Sequence, residues 1–380
     1  MAGGNLKANP RAILNHNQIY ALVNEIASQS MGKTDIAAVD TSSFVSLGNQ
    51  ILSSQTNVEA FMSSLVQRIG KTIISYRPYT NKLRDLSYEP FEWGAILQKI
   101  KVQMPEAVED ETLNLVDGQS IDPYIVKKPV AQQKLFARTG SETFYITTQT
   151  KWLREAFLNP DAMGNFLAAV EGEVRNALEL KDENLGRLSI ATYIANMGND
   201  QIVHMLTEYN TLSGQTVTAA NAYINRDFLA WAFTRMKTVG EKMEYMSVNK
   251  NKDGFERHTP AAEQRFITSI DYINAMETVV KADAFHDDYF SEAVFLRMPY
   301  WQSEKTPNSV SITLEDETEK TVSNIFGLIA DRWAFGTYRE LEEVLTTPVN
   351  ARGAYLNTFW HGLRSVACDM SEQGILFLLD

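Results

Sequence analysis

The sequence predicts an α+β fold. Three observations carry that prediction: a helical pattern running from Asn159 to Gly198, period-two apolar stretches on both sides of it, and no regular strand–helix alternation of the kind a doubly wound sheet needs. The long stretch organises the rest. Asn159 suits an N-cap, Pro160 the first helical position, and Asp161 sets negative charge in the electropositive first turn. Phe166, Val170, Val174, Ala177, Leu178, Leu185, Leu188 and Ala195 recur at helical spacing. Glu171 with Arg175, and Glu183 with Arg187, stand four apart in the favourable acid-first order. Gly198 is read as the closing C′ residue. Such a rod spans about 57 Å. Gly164, Gly172 and Gly186 each cost it about 1 kcal/mol against alanine, so packing must hold it straight. A break at Gly172 or Gly186 is the alternative.

Before the rod, Ile13, Ile19, Leu22, Val23 and Ile26 mark one short amphipathic helix, and Val58, Phe61, Leu65 and Ile69 another over 57–69. Met31 to Asn49 reads as extended or loop-like, and residues 1–70 as an extended arm that must lean on the body or on a neighbouring chain. Removing the first thirty or so residues is expected to leave a folded subunit. Residues 72–76 read as a short strand, and Ala95 to Met104 alternates as a half-buried strand does. Ala131–Arg138 and Thr143–Thr148 are further strands. Between these arms lies Pro105 to Lys128, too polar for a core and too long for a hairpin turn, hence a projecting loop. It carries Glu106, Glu109, Asp110 and Glu111, then Lys127 and Lys128. Read alone it is a solvated acidic loop; the alternative is an arm tip that meets basic groups of another subunit.

Trp152 to Phe157 leads into the rod. After it, Asp200–Gln215 and Thr218–Met246 read as helices, Asn249–Pro260 as a polar loop, Phe266–Ile270 as a strand and Tyr272–Tyr289 as a helix. Ala293–Trp301, Val310–Leu314, Ile325–Ile329, Ala334–Tyr338 and Gly374–Leu379 read as strands. The aromatic groups Trp333, Phe335, Tyr338 and Tyr355, Phe359, Trp360 read as core packing.

Composition bounds the function. The chain has 380 residues, 44% of them hydrophobic, and a net charge of −12. That charge argues against a dedicated nucleic-acid binder, whose affinity comes from Lys and Arg neutralising phosphates. One cysteine, Cys368, excludes an intrachain disulfide, and no apolar run approaches the roughly eighteen residues that cross a bilayer. The expectation is a soluble protein of a reducing compartment with no membrane partner.

Catalytic motifs fail on inspection. Gly32-Lys33-Thr34 and Gly70-Lys71-Thr72 lack the upstream glycine of a phosphate loop, having Ala27 and Leu65 there. His286-Asp287-Asp288 is the sole histidine–carboxylate cluster, without a second ligand pair for a metal. No nucleophile elbow occurs, and Cys368 sits among Val366 and Ala367 as a small core residue does. No catalytic, cofactor-binding or metal-binding residue is assigned.

The order of elements resembles a tailed-bacteriophage major capsid protein of the Hong Kong 97 type. Residues 144–148 (FYITT), 329–334 (IADRWA), 336–339 (GTYR) and 350–355 (NARGAY) are similar to segments in capsid proteins of small short-tailed phages. The resemblance implies an N-terminal arm at 1–70, an extended loop at 88–148, a peripheral domain with the spine helix at 149–199, an axial domain at 200–320, and returning strands at 321–380. It further implies self-assembly into pentamers and hexamers of an icosahedral head around double-stranded DNA, held without sequence-specific binding. Scaffolding and portal proteins would be partners, the virion the location, and the host cytoplasm the place of assembly. Under it, Glu106, Glu109, Asp110, Glu111, Lys127 and Lys128 become an inter-subunit contact. An encapsulin-like shell is the nearest rival, and a soluble enzyme the rival of another class.

Overall fold

The chain's first helices are built on narrow apolar stripes. In a computed structural model describing residues 15–31, 37–69, 79–88, 97–104, 116–120, 124, 126, 128, 131–136, 140–282, 294–313 and 317–380, they are α1 (His16–Met31), α2 (Thr41–Leu52) and α3 (Gln55–Ile69). Helix α2 corrects the loop expected over Met31–Asn49. Phe44, Leu47 and Ile51 share one face, and the Asp40 side chain accepts from Ser43 N while the Ser43 hydroxyl caps Asp40 N in return. Serine, glycine and asparagine around the stripe hid it. The described part of the N-terminal segment is therefore helical, not extended. It leans on the body: Ile19, Val23, Ile26, Phe44, Phe61 and Leu65 form one core with Phe157, Met163 and Leu167.

Strands β1 (Leu97–Val102) and β2 (Ala131–Phe136) pair antiparallel as an isolated ribbon, with Lys99 opposite Lys134. Strand β3 (Gly140–Gln149) and α4 (Thr150–Ala156) follow. Then comes α5 (Pro160–Asn196), 37 residues with no interruption, so neither glycine breaks it. Asn159 caps it by accepting from Ala162 N at 2.7 Å. Gly198 follows the C-cap Met197 and so holds the expected C′ position, but at φ −84° it does not make the left-handed turn of a glycine cap. Leu188, placed on the apolar face by spacing, is 38% exposed. The Glu183–Arg187 pair forms, at 2.5 Å, but both side chains are buried instead of lying on a solvated face.

The segment expected as a helix over 200–215 opens instead with strand β4 (Ile202–His204) before α6 (Met205–Ser213). Then follow α7 (Arg226–Met243), β5 (Gln264–Ser269), α8 (Ile270–Ala282), β6 (Val294–Met298), β7 (Val310–Thr313), β8 (Glu319–Val322) and β9 (Ile325–Asp331). Strand β10 (Phe335–Thr346) runs well past the expected Tyr338, and β11 (Tyr355–Cys368) occupies a stretch read only as aromatic packing. Strand β12 (Gly374–Leu378) ends the fold.

Two main sheets result. The five-stranded one has the order β4-β12-β9-β5-β6, and the three-stranded one β10-β11-β3. The first is apolar on both faces. Phe266, Phe326, Ile329, Ile375 and Phe377 meet α6, α7 and α8 on one side. Ile267, Leu328, Leu376 and Leu378 meet Ile190, Tyr193 and Ile194 of α5 on the other. Helix α5 thus joins three parts of the fold: its start lies in the N-terminal core, its middle under β10 and β11, its end on the five-stranded sheet.

Candidate inter-subunit surface

The residues singled out between 105 and 128 divide by what is described. Glu106, Glu109, Asp110, Glu111 and Lys127 lie outside the described residues, as do residues 72–76 and His286-Asp287-Asp288. Lys128 is exposed, and so are Val116, Tyr124 and Val126 near it. The regular structure next to this region is the ribbon of β1 and β2 on either side of it.

A strap over residues 79–88 runs along α5. Tyr79 N donates to Asn176 Oδ1 at 2.8 Å, Asn81 N to Glu179 Oε2 at 3.0 Å, and Lys82 N to Glu183 Oε2 at 3.2 Å. Leu83 then lies across Gly186, where an added Cβ would come within 3.3 Å. Tyr88 stacks on the Trp333 ring, centroids 5.4 Å apart. Trp333, expected inside, is half exposed, with Arg332 over its ring.

The ribbon's faces are the reverse of ordinary amphipathic strands. Lys99, Lys101 and Lys134 turn toward the body, while Ile100, Val102 and Leu135 turn outward, each more than half exposed. The alternation was legible in residues 97–102, but a period of two does not say which face is buried. The lysines are drawn in by a turn after β11 that sequence reasoning passed over. Lys99 Nζ lies 2.8 Å from Asp369 Oδ2 and also pairs with Glu372; Lys101 Nζ lies 2.9 Å from Asp369 Oδ2; Lys134 Nζ lies 3.6 Å from Asp369 Oδ1. Ser371 donates to Asp369 Oδ1 from its N at 3.1 Å and its Oγ at 2.6 Å. Burial opposes charge on Asp369, yet Lys99, Ser371 and Lys101 outweigh it and hold the carboxyl far below the usual range. Burial lowers the Lys101 ammonium, with Asp369 working against that. Cys368, next in the chain, is pushed up to about 12 by burial, so its thiol is inert at ordinary pH.

Among the described residues no three or more His, Cys, Asp or Glu side chains converge to hold a metal. No described helix is long and apolar enough to cross a membrane. The ribbon carries an outward apolar face on a charged root.

The Phi29-like phage major capsid protein profile matches residues 20–378. The chain belongs to that family. Within the Phi29-like capsid family, the major capsid protein of Bacillus phage GA-1 is 24% identical over 179 residues, 47% of this chain and 36% of that protein. That of Streptococcus phage Cp-1 is 30% identical over 123 residues, 30% of each chain. The matches therefore span about a third of these curated relatives' length. Solved capsid structures share the fold. The capsid of Staphylococcus phage Andhra superposes with TM-score 0.53 at 11% identity, over 81% of this chain and 87% of that one. The capsid of cyanophage P-SCSP1u gives 0.51 at 14%, over 81% and 90%. The Hong Kong 97-type architecture expected from element order is the one this Phi29-like chain adopts.

Proposed function

We propose that this protein is the tile of a phage head, self-assembling into pentamers and hexamers that close an icosahedral shell around double-stranded DNA. The observation that carries the reading is the ribbon's outward face, where Ile100, Val102 and Leu135 stand in solvent on a two-stranded element. A subunit that exposes one apolar patch and covers a different one on its neighbour makes heterologous contacts, and these form rings when the rotation between neighbours closes. The activity is assembly, not catalysis. The net charge of −12 suits an inner surface that does not grip packaged DNA, so the DNA is held without sequence-specific contacts.

In the same reading the chain divides into an N-terminal segment at 1–70, an extended loop at 88–148, a peripheral domain at 149–199, an axial domain at 200–320 and returning strands at 321–380. Glu106, Glu109, Asp110 and Glu111, with Lys127 and Lys128, belong to the loop's contact with an adjoining subunit. Scaffolding and portal proteins are partners during assembly in the host cytoplasm, and the product is part of the virion.

Negative-stain microscopy of the expressed protein tests this. Closed shells or capsomers are expected, and Ile100→Asp with Leu135→Asp should leave folded subunits that do not form them. A monomer that stays dispersed at high concentration overturns the reading.

A further inference from the structure

The ribbon could be fastened to the body more firmly than it is. Turning Ile100, Val102 and Leu135 inward would bury apolar area at roughly 25 cal/mol per Å² and hold it there. Instead the inner face carries Lys99, Lys101 and Lys134. Lys99 and Lys134 stand directly opposite across the strands, a pairing that is unfavourable without an anion nearby. Asp369 is that anion, within 3.6 Å of both. A two-stranded ribbon is marginal alone, and β1 and β2 have no further strand partner among the described residues.

Two aromatic contacts lie at the root. Tyr88, the last described residue before the ribbon, stacks on Trp333 and packs beside Phe136 and Tyr338. At the exit Phe136 packs on Tyr338, whose hydroxyl donates to Phe136 O at 3.2 Å. Between these pins the attachment is ionic, and Arg257 adds a fourth cation 3.7 Å from Glu372. Partly buried ion pairs nearly cancel their own desolvation cost, so the intact set adds little net stability. Losing one partner, however, strands the rest. Such an attachment is specific in angle and cheap to undo.

We propose that the lysine row and the Asp369–Glu372 turn are a releasable latch that sets the ribbon's angle, with the Tyr88–Trp333 and Phe136–Tyr338 contacts as its pivot. Latched, the ribbon points its apolar face away from the body; released, it turns about the pins and aims that face elsewhere. The mechanics stand on these contacts alone, whereas the use of the latch in assembly rests on the capsid reading.

Hydrogen-exchange mass spectrometry on dilute, unassembled full-length subunits separates the two. Asp369→Asn, and separately Lys99→Met with Lys101→Met, should raise exchange in 97–102 and 131–136 by about tenfold. Amides of β9 and β12 should keep their wild-type rates. Two variants are used because Asp369 also orders its own turn through Ser371, whereas the lysine pair does not. Unchanged ribbon amides in both variants would mean that the aromatic pins suffice and there is no latch. Equal acceleration of β9 and β12 would make the cluster part of the global core, which also overturns it.

Discussion

Arg364 donates from Nε to Asp182 Oδ1 at 2.7 Å, joining the middle of β11 to the middle of α5 with both side chains buried. Arg364 Nη2 continues to Glu342 Oε1 at 2.9 Å, and Arg339 takes the other Asp182 oxygen. The bond fixes how the three-stranded sheet sits on the rod. Removing one partner leaves the other's buried charge with only its second partner, Glu342 for Arg364 or Arg339 for Asp182, so Asp182→Asn or Arg364→Met should each cost up to about 3–5 kcal/mol. The double replacement Asp182→Leu with Arg364→Met should recover much of that, since well-packed apolar pairs match buried ion pairs. Urea titration of the three variants checks it, and additive losses would contradict it.

Gly48 in α2 faces the Phe157 ring so closely that a Cβ would stand 2.6 Å from its Cγ. In a free helix alanine is better than glycine by about 1 kcal/mol. Here the overlap wins, because Phe157 is held between Phe44 and Phe61 and cannot move aside. Gly48→Ala should therefore lower stability by a net 1–3 kcal/mol, roughly the cost of overpacking a core. A rise in the thermal midpoint would show that the ring yields.

The rod was legible because its signals are local. Asn159 caps it, and its apolar spacing persists through three glycines. Two of those glycines became intelligible only with their neighbours in place, Leu83 on Gly186 and the Ile19 side chain 3.4 Å from the Cβ position of Gly164. Strand β11 was hidden because its two faces lie in different surroundings, Arg364 on a charged helix and Phe359 beside Tyr145 on a half-exposed face. Neither gives clean apolar alternation. The ribbon failed differently. Its period was read correctly, but Asp369, which decides the buried face, stands 268 residues from Lys101. The element order carried the family, because topology survives when individual residues do not.

Glu183 makes stability depend on pH in a way that can be isolated. Burial raises its pKa, but hydrogen bonds from Tyr79 and Arg187 outweigh that, and the folded value ends below the ordinary one. A carboxylate lowered on folding stabilises above its unfolded pKa of about 4.3, and the gain is lost as pH falls through the folded value. Glu183→Gln should thus be destabilised at pH 7, with the deficit to wild type shrinking below about pH 4. Denaturation midpoints across pH 3–8 measure it. A constant deficit at every pH would assign the loss to packing.

Deleting residues 1–31 should do more than free an arm. It removes α1, whose Ile19, Val23 and Ile26 are 0–1% exposed in the core shared with Phe44, Phe61 and Met163. Each such side chain contributes about 1.5–3 kcal/mol when buried. Three of them approach the whole net stability of a domain, about 5–15 kcal/mol. The helix also meets the start of the rod through His16 Nε2 and Asp161 Oδ1 at 2.9 Å, an exposed contact that adds little. Ile26→Ala alone should cost about 2–5 kcal/mol and give a graded control. Circular dichroism of the truncated chain should show lost cooperativity in urea, and the α2–α3 amides should lose exchange protection. An unchanged midpoint would mean the five-stranded sheet and the rod sustain the fold without this core, and the segment would again be an arm.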